Sequence, residues 1–120
     1  MVHDHGASVM IPAGPKAPTL TMEIKKDPVG GWNLHLRSTN FRFAPEHAST
    51  PYRAGEGHAH LYVNGKKVAR LYGPWFHIGS LPAGKAVIRV TLNTNDHRGL
   101  MVGGKPLAVT RTIVVPPPRK

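Results

Sequence analysis

The chain has 120 residues, a length typical of one domain with one core, and it carries a formal net charge of +10 with eight histidines and no cysteine. The lack of cysteine excludes disulfides, iron–sulfur clusters, zinc fingers, thiolate nucleophiles and the blue-copper site that pairs a thiolate with two imidazoles. The basic residues are spread along the chain and form no nucleic-acid-binding motif, so we expect no nucleic-acid partner.

The two ends of the sequence are predicted to lie outside the folded core. Residues 1–18 contain two glycines and three prolines without hydrophobic periodicity, which predicts a flexible or extended arm. Residues 116–120 begin with three prolines, which lack the backbone donor that a sheet needs, so the last strand should end near Val115. We therefore expect a single domain over residues 19–115, followed by a Pro-rich tail.

Between these ends, short alternating runs of apolar and polar residues predict β-strands, and no twelve-residue window has helical spacing. In chain order the predicted strands span residues 19–25, 32–37, 41–43, 58–63, 66–72, 75–78, 86–92 and 107–115. The connection over 44–57 is longer than usual, which marks a candidate functional loop. These strands, about seven if the short run over 41–43 is left out, predict an all-β fold, an antiparallel two-sheet sandwich that is immunoglobulin-like or cupredoxin-like in outline.

Residues 58–72 carry the clearest local signal. Asn64-Gly65 stands between two β-like runs and is a preferred pair for a type I′ hairpin turn, because both central residues need positive φ. The first run begins with His58 and His60, and strand residues two apart point to the same face about 7 Å from one another. Since the opposite side of this run is apolar, the two imidazoles should point outward or lie at a sheet edge, where they could converge on one metal ion. The alternative is a pair of exposed or hydrogen-bonded histidines.

His97 is the preferred third ligand, because it follows a predicted strand in a loop, where sandwich domains usually place site residues. Asp96 would then orient the His97 ring through a hydrogen bond. His35 competes with His97, since it points away from the apolar face of its own strand. His77 is more typical of a hydrogen-bonded structural residue, and Met101 of packing, although a thioether would suit Cu(I). For His97 and His35 alike, the alternative is the role of an ordinary surface or hydrogen-bonded histidine.

His3 and His5 form a second and weaker arrangement. If the mature chain began at His3, its amino group and imidazole would chelate copper together. With Met1 retained, the amine, two deprotonated amides and the His3 imidazole would form a square-planar Cu(II) or Ni(II) site. The alternative is a disordered terminus. Imidazoles without thiolates suit copper, zinc or nickel, and copper leads the divalent affinity order, so we expect copper ahead of zinc or nickel.

Three segments of the sequence carry a resemblance to a known group. Residues 55–65, which include GHAHLYVNG, followed by LPAG at 81–84 and NDH at 95–97, resemble small exported bacterial β-sandwich domains, most of them uncharacterised and some suspected of handling copper. The resemblance covers about residues 27–115 and implies His58, His60 and His97 as the shared polar set.

A second and thinner likeness is to copper–zinc superoxide dismutase, which also has an H-x-H on a strand at its copper site. The disulfide of that enzyme, its His- and Asp-rich zinc loop and its glycine-flanked late histidine are missing from this sequence.

The sequence favours a binding protein over a conventional enzyme. Its six carboxylates form no evident pair, and its serines lie in no nucleophile-elbow context. We expect an exported protein that binds copper for storage, delivery or tolerance, with the metal ion and a copper-delivery protein as partners. The alternatives are a basic structural or adhesive module that binds anionic polymers and, last, a copper-dependent dismutase-like enzyme.

The expected location is periplasmic or secreted. No run approaches the roughly 20 apolar residues of a membrane helix, so no membrane span is expected. Residues 1–18 lack the basic and apolar regions of a signal peptide. Met1-Val2 directly before His3 is typical of a start placed ahead of a mature chain whose signal peptide has been removed.

Overall fold

The computed structural model describes residues 8–117, which form eleven β-strands and a single turn of 3-10 helix, Pro45–His47. The predicted site residues His3 and His5, together with Met1-Val2 and the end of the Pro-rich tail, lie outside the described residues. In chain order the strands are β1 (Ser8–Ile11), β2 (Thr19–Lys26), β3 (Trp32–Thr39), β4 (Arg42–Phe43), β5 (Glu56–Val63), β6 (Lys66–Leu71), β7 (Trp75–Ile78), β8 (Gly84–Asn93), β9 (Gly99–Val102), β10 (Lys105–Pro106) and β11 (Ala108–Val115).

The strands form two sheets, which confirms the predicted all-β sandwich. The large sheet has the order β1-β9-β8-β5-β4, with β6 beside β5, β11 beside β8 and β10 beside β9; the small sheet has the order β2-β3-β7. Pairing is antiparallel except for the short pairs β1–β9 and β4–β5, which are parallel. The strand count exceeds the prediction because β1, β9 and β10 are only two to four residues long, too short for an alternating pattern to be visible.

The core lies between the two sheets and is built from the apolar faces of their strands. In β8 the alternation is complete, and Ala86, Ile88, Val90 and Leu92 are all fully buried. The small sheet contributes residues such as Leu34, which is also fully buried. In β5 the core-facing residues are Ala59 and Leu61, so His58 and His60 point to the opposite face of the large sheet.

The β5–β6 hairpin has the predicted turn. Asn64 and Gly65 have φ values of 51° and 83°, as a type I′ turn requires. The register shifts between Leu61 and Tyr62, because Val68 is an extra residue on β6 with no partner on β5. This bulge fixes which β6 side chains lie beside the histidines.

Segments predicted to lack strands contribute to the large sheet. Residues 8–11, in the predicted arm, form β1, which pairs along β9. The strand β9 itself lies within residues 93–105, which were predicted as a loop. At the other end β11 stops at Val115, before the prolines. Within residues 8–117, none of the helical structure has the length and hydropathy that crossing a membrane requires.

Candidate metal centre

Three histidine side chains meet on the outer face of the large sheet. His58 and His60 come from β5, and His97 comes from the loop between β8 and β9. The Nε2 atom of His58 lies 2.9 Å from Nε2 of His60 and 3.1 Å from Nδ1 of His97. One ring nitrogen from each residue lies within 4.8 Å of the other two, so the three imidazoles could hold a metal ion together.

The pairing of β5 with β8 explains why these residues converge. His58 lies opposite Asn93, the last residue of β8, so the loop that follows β8 begins directly beside the histidine pair. The backbones of β5 and β8 are very close here: a Cβ atom at Gly57 would collide with the carbonyl oxygen of Asn93. A glycine before His58 therefore permits the approach that brings His97 over the pair.

The loop that carries His97 is tightly closed. The Thr94 amide donates to the carbonyl of Arg98 at 2.8 Å, and the His97 amide donates to the carbonyl of Thr94 at 2.9 Å. His97 itself has a φ of 69°, in the left-handed region that few side chains adopt. Non-glycine residues held in this region are found disproportionately at functional sites.

Ser49 orients the His97 ring. Its Oγ atom lies 2.9 Å from Nε2 of His97, on the side of the ring that faces away from His58. The prediction that Asp96 orients the His97 ring is wrong. The Asp96 carboxylate contacts the Thr94 hydroxyl and, at 3.0 Å, Nε of Arg98. The loop turns at Asp96, so its side chain closes the loop instead of reaching the next residue. With Nε2–H of His97 donating to Ser49, Nδ1 is left to ligate a metal.

Glu56 ties the 44–57 loop to the His97 loop. Its carboxylate accepts hydrogen bonds from Nδ2 of Asn95 at 2.9 Å and Nη2 of Arg42 at 2.8 Å, and it contacts Nδ1 of His47 at 2.5 Å. The hydrogen bond from Asn95, aided by those from Arg42 and His47, lowers the pKa of Glu56 to about 2. These contacts fix His47 and Glu56, which lie on either side of Ser49 in the chain. The 44–57 loop, predicted to be functional, therefore supports the site by positioning Ser49 beside His97.

Burial keeps the histidines in the form that binds metal. His58 is fully buried and His60 is only 4 % exposed. Desolvation, aided by the neighbouring histidines and by Lys67 and Arg70, lowers the pKa of His58 to about 4 and that of His60 to about 3. Burial lowers the pKa of His97 as well. All three imidazoles are therefore neutral at neutral pH.

The hydrogen bonds within the cluster do not satisfy all of its ring nitrogens. The Nε2 atom of His58 faces a nitrogen of His60 and a nitrogen of His97. The other ring nitrogen of His58, Nδ1, is buried and has no hydrogen-bond partner among residues 8–117. An unsatisfied buried polar atom costs about 1–3 kcal/mol. That cost does not depend on whether a metal is bound, since Nε2 is the His58 nitrogen in the cluster; the case for a metal rests on the three converging ring nitrogens.

The remaining predicted residues lie elsewhere or border the site. His35, on β3 of the small sheet, stacks on Trp75 with ring centroids 3.9 Å apart. His77 contacts Oδ1 of Asn33 at 2.8 Å through Nδ1. Neither residue belongs to the cluster, because both are on the other sheet. Met101 lines the same surface cleft as His60 and His97, although the nitrogen cluster itself is formed by histidines alone.

Three supporting residues were not identified from the sequence. Ser49 and Asn95 lie in loops, where no periodicity predicts contact, and their roles depend on the folded path of both loops. Glu56 could have been found, because it precedes His58 by two positions and shares its side of β5. Comparison with protein-family models, with curated proteins and with solved structures finds no match for this chain.

Proposed function

We propose that this protein binds copper through His58, His60 and His97, and that it serves in copper storage, delivery or tolerance outside the cytoplasm. The convergence of three neutral imidazole nitrogens, from two buried histidines and one partly buried histidine, carries the proposal. The likeness of residues 27–115 to small exported bacterial β-sandwich domains, some suspected of handling copper, supports both the metal and the location. A protein that delivers or receives copper would be its partner.

The donor set supports copper over other divalent metals. Three imidazoles without thiolate or carboxylate suit copper, nickel or zinc, and copper binds most tightly in the divalent series. At a metal–nitrogen distance of about 2.05 Å, a right angle at the metal separates two nitrogens by about 2.9 Å and a tetrahedral angle by about 3.3 Å. The nitrogen separations of 2.9 and 3.1 Å from His58 lie at and between these two values, so the preference for copper rests on the donor set and on the affinity order.

The thioether of Met101 supports a role for the reduced ion as well. Met101 is one of the residues that line the cleft bordered by His60 and His97, and soft thioether ligands favour Cu(I). A site that holds both oxidation states suits a protein that passes copper on.

The test is a Cu(II) titration against a competing chelator. The titrated protein carries His3→Ala and His5→Ala, because the amino-terminal segment would chelate Cu(II) by itself. We expect one tightly bound ion per chain, lost when His58 and His60 are both replaced by alanine. The matched control replaces His35 and His77 by alanine, which removes two histidines from the other sheet and should leave binding unchanged.

A folded His58→Ala/His60→Ala protein that keeps its copper affinity would overturn the proposal. If that variant does not fold, His97→Ala serves instead, since His97 lies in a loop and is only partly buried. Zn(II) and Ni(II) in competition identify the metal: we expect Cu(II) to displace both, and Zn(II) binding more tightly than Cu(II) would contradict the assignment.

A further inference from the structure

A cleft of about 400 Å³ lies on the outer face of the large sheet beside the histidine cluster. Its lining includes His60 and His97 and, among other residues, Lys67 and Arg89. His58 is not part of this lining and is fully buried. A metal ion held by the three imidazoles would therefore have its free coordination positions on the cleft side.

The strand register places cationic side chains along this face. Tyr62 lies opposite Lys67 on β6 and opposite Arg89 on β8, and His60 lies opposite Arg70 on β6. Residues directly opposite one another in a sheet share a face, with Cβ atoms about 5 Å apart. Two strands therefore each supply positive charge at the same level, next to the histidines.

No negative charge balances these groups within the part of the chain that the structure describes. The cleft lining contains no carboxylate from residues 8–117, and neither Lys67 nor Arg89 forms an ion pair with those residues. Asp96, the carboxylate next to His97 in the chain, is paired with Arg98. Neutral imidazoles would leave a divalent ion with its full charge, so the local field would strongly favour an anion.

We propose that this cleft binds a small anion of the carboxylate or inorganic oxyanion class, which ligates the metal from the cleft side while Lys67 and Arg89 bind its outer oxygens. The inference rests on the proposed metal function, because the anion needs the ion as its inner partner. Arginine and lysine form short, charge-assisted hydrogen bonds to such oxygens. The cleft volume accommodates an anion of several heavy atoms.

The experiment titrates the Cu(II)-loaded His3→Ala/His5→Ala protein with azide, whose charge-transfer band with Cu(II) reports direct ligation. Replacing Lys67 and Arg89 together by glutamine should raise the azide dissociation constant about tenfold, since two positive charges are lost at short range. The matched control, Lys26→Gln/Lys85→Gln, removes the same charge from exposed positions outside the cleft and should change it less than about twofold. Acetate should compete with azide in the parent protein.

The outcomes separate the two proposals. If both double variants bind copper and have the same azide affinity as the parent protein, or if acetate fails to compete, the anion proposal is wrong and the metal site stands. If the parent protein binds no copper, the metal function is wrong and the anion proposal is overturned with it.

Discussion

Acidification should destabilise the metal-free protein between pH 7 and pH 5, because His58 and His60 are buried as neutral imidazoles. Burial lowers their pKa to about 4 and about 3, from 6.5 for an unperturbed histidine. Below pH 6.5 the unfolded chain therefore binds protons that the folded chain excludes. The stability that these histidines contribute is fully present above pH 6.5 and is lost as the pH falls toward their folded values.

The size of this effect follows from the two pKa shifts. Each proton that only the unfolded state binds costs about 1.4 kcal/mol of stability per pH unit. Between pH 7 and pH 5 this amounts to roughly 2 kcal/mol for each histidine, and so to roughly 4 kcal/mol for the pair. A domain of this size has about 5–15 kcal/mol of stability in total, so by pH 5 the metal-free protein should have lost between about a quarter and most of it.

Denaturant unfolding at pH 7, 6 and 5 in the presence of a chelator measures this loss. A His58→Gln/His60→Gln variant should have a much flatter dependence on pH, whereas His35→Gln/His77→Gln should keep the slope of the parent protein. Glu56, whose pKa is lowered to about 2 chiefly by Asn95, loses its contribution only below pH 4.5 and does not affect this window. Equal stability of the parent protein at pH 7 and pH 5, within about 1 kcal/mol, would refute the reasoning.

Three further predictions test the site and its support. Ser49→Ala should weaken copper binding about 10- to 100-fold at unchanged stoichiometry, as loss of a ligand-orienting hydrogen bond does; unchanged affinity in a chelator competition would show that Ser49 does not orient the ligand. Gly57→Ala should cost about 1–3 kcal/mol in denaturant unfolding, because its Cβ meets a backbone carbonyl, whereas Gly73→Ala adds a methyl group to open space and should change stability little. The lowered pKa values of His58 and His60 should limit the loss of Cu(II) affinity between pH 7.5 and 5.5 to about tenfold, and a loss of a hundredfold or more would indicate unperturbed imidazoles.

Much of the fold could be predicted from the sequence because its signals are local. The alternation along residues 86–92 and the Asn64-Gly65 pair each determine the conformation of their own segment, and the structure confirms both. β1 and β9 escaped prediction because their short segments pair with each other across more than 80 residues of chain, a relation that no local pattern reports.

The candidate site divides in the same way. His58 and His60 share a face because of strand geometry alone, so the pair was visible in the sequence. His97 joins them through a loop whose path depends on the close approach at Gly57 and on left-handed backbone conformations at His97 and Ser49. Those conformations are set by tertiary contacts, which is why the ring-orienting residue was assigned to Asp96 instead of Ser49.

The burial that makes the cluster costly for the metal-free fold also favours metal binding. Desolvation removes stability as the pH falls, yet the same burial keeps the imidazoles of His58 and His60 deprotonated. A ligand present at a thousand times its dissociation constant stabilises the folded state by about 4 kcal/mol, which is comparable to the loss of roughly 4 kcal/mol on acidification to pH 5. Metal binding would therefore offset that cost. Because His97 lies in the β8–β9 loop and the other two histidines lie on strand β5, the ion would also hold that loop against the sheet. With metal bound, the protein would then be more stable than without it, as the proposed role in storage or delivery requires.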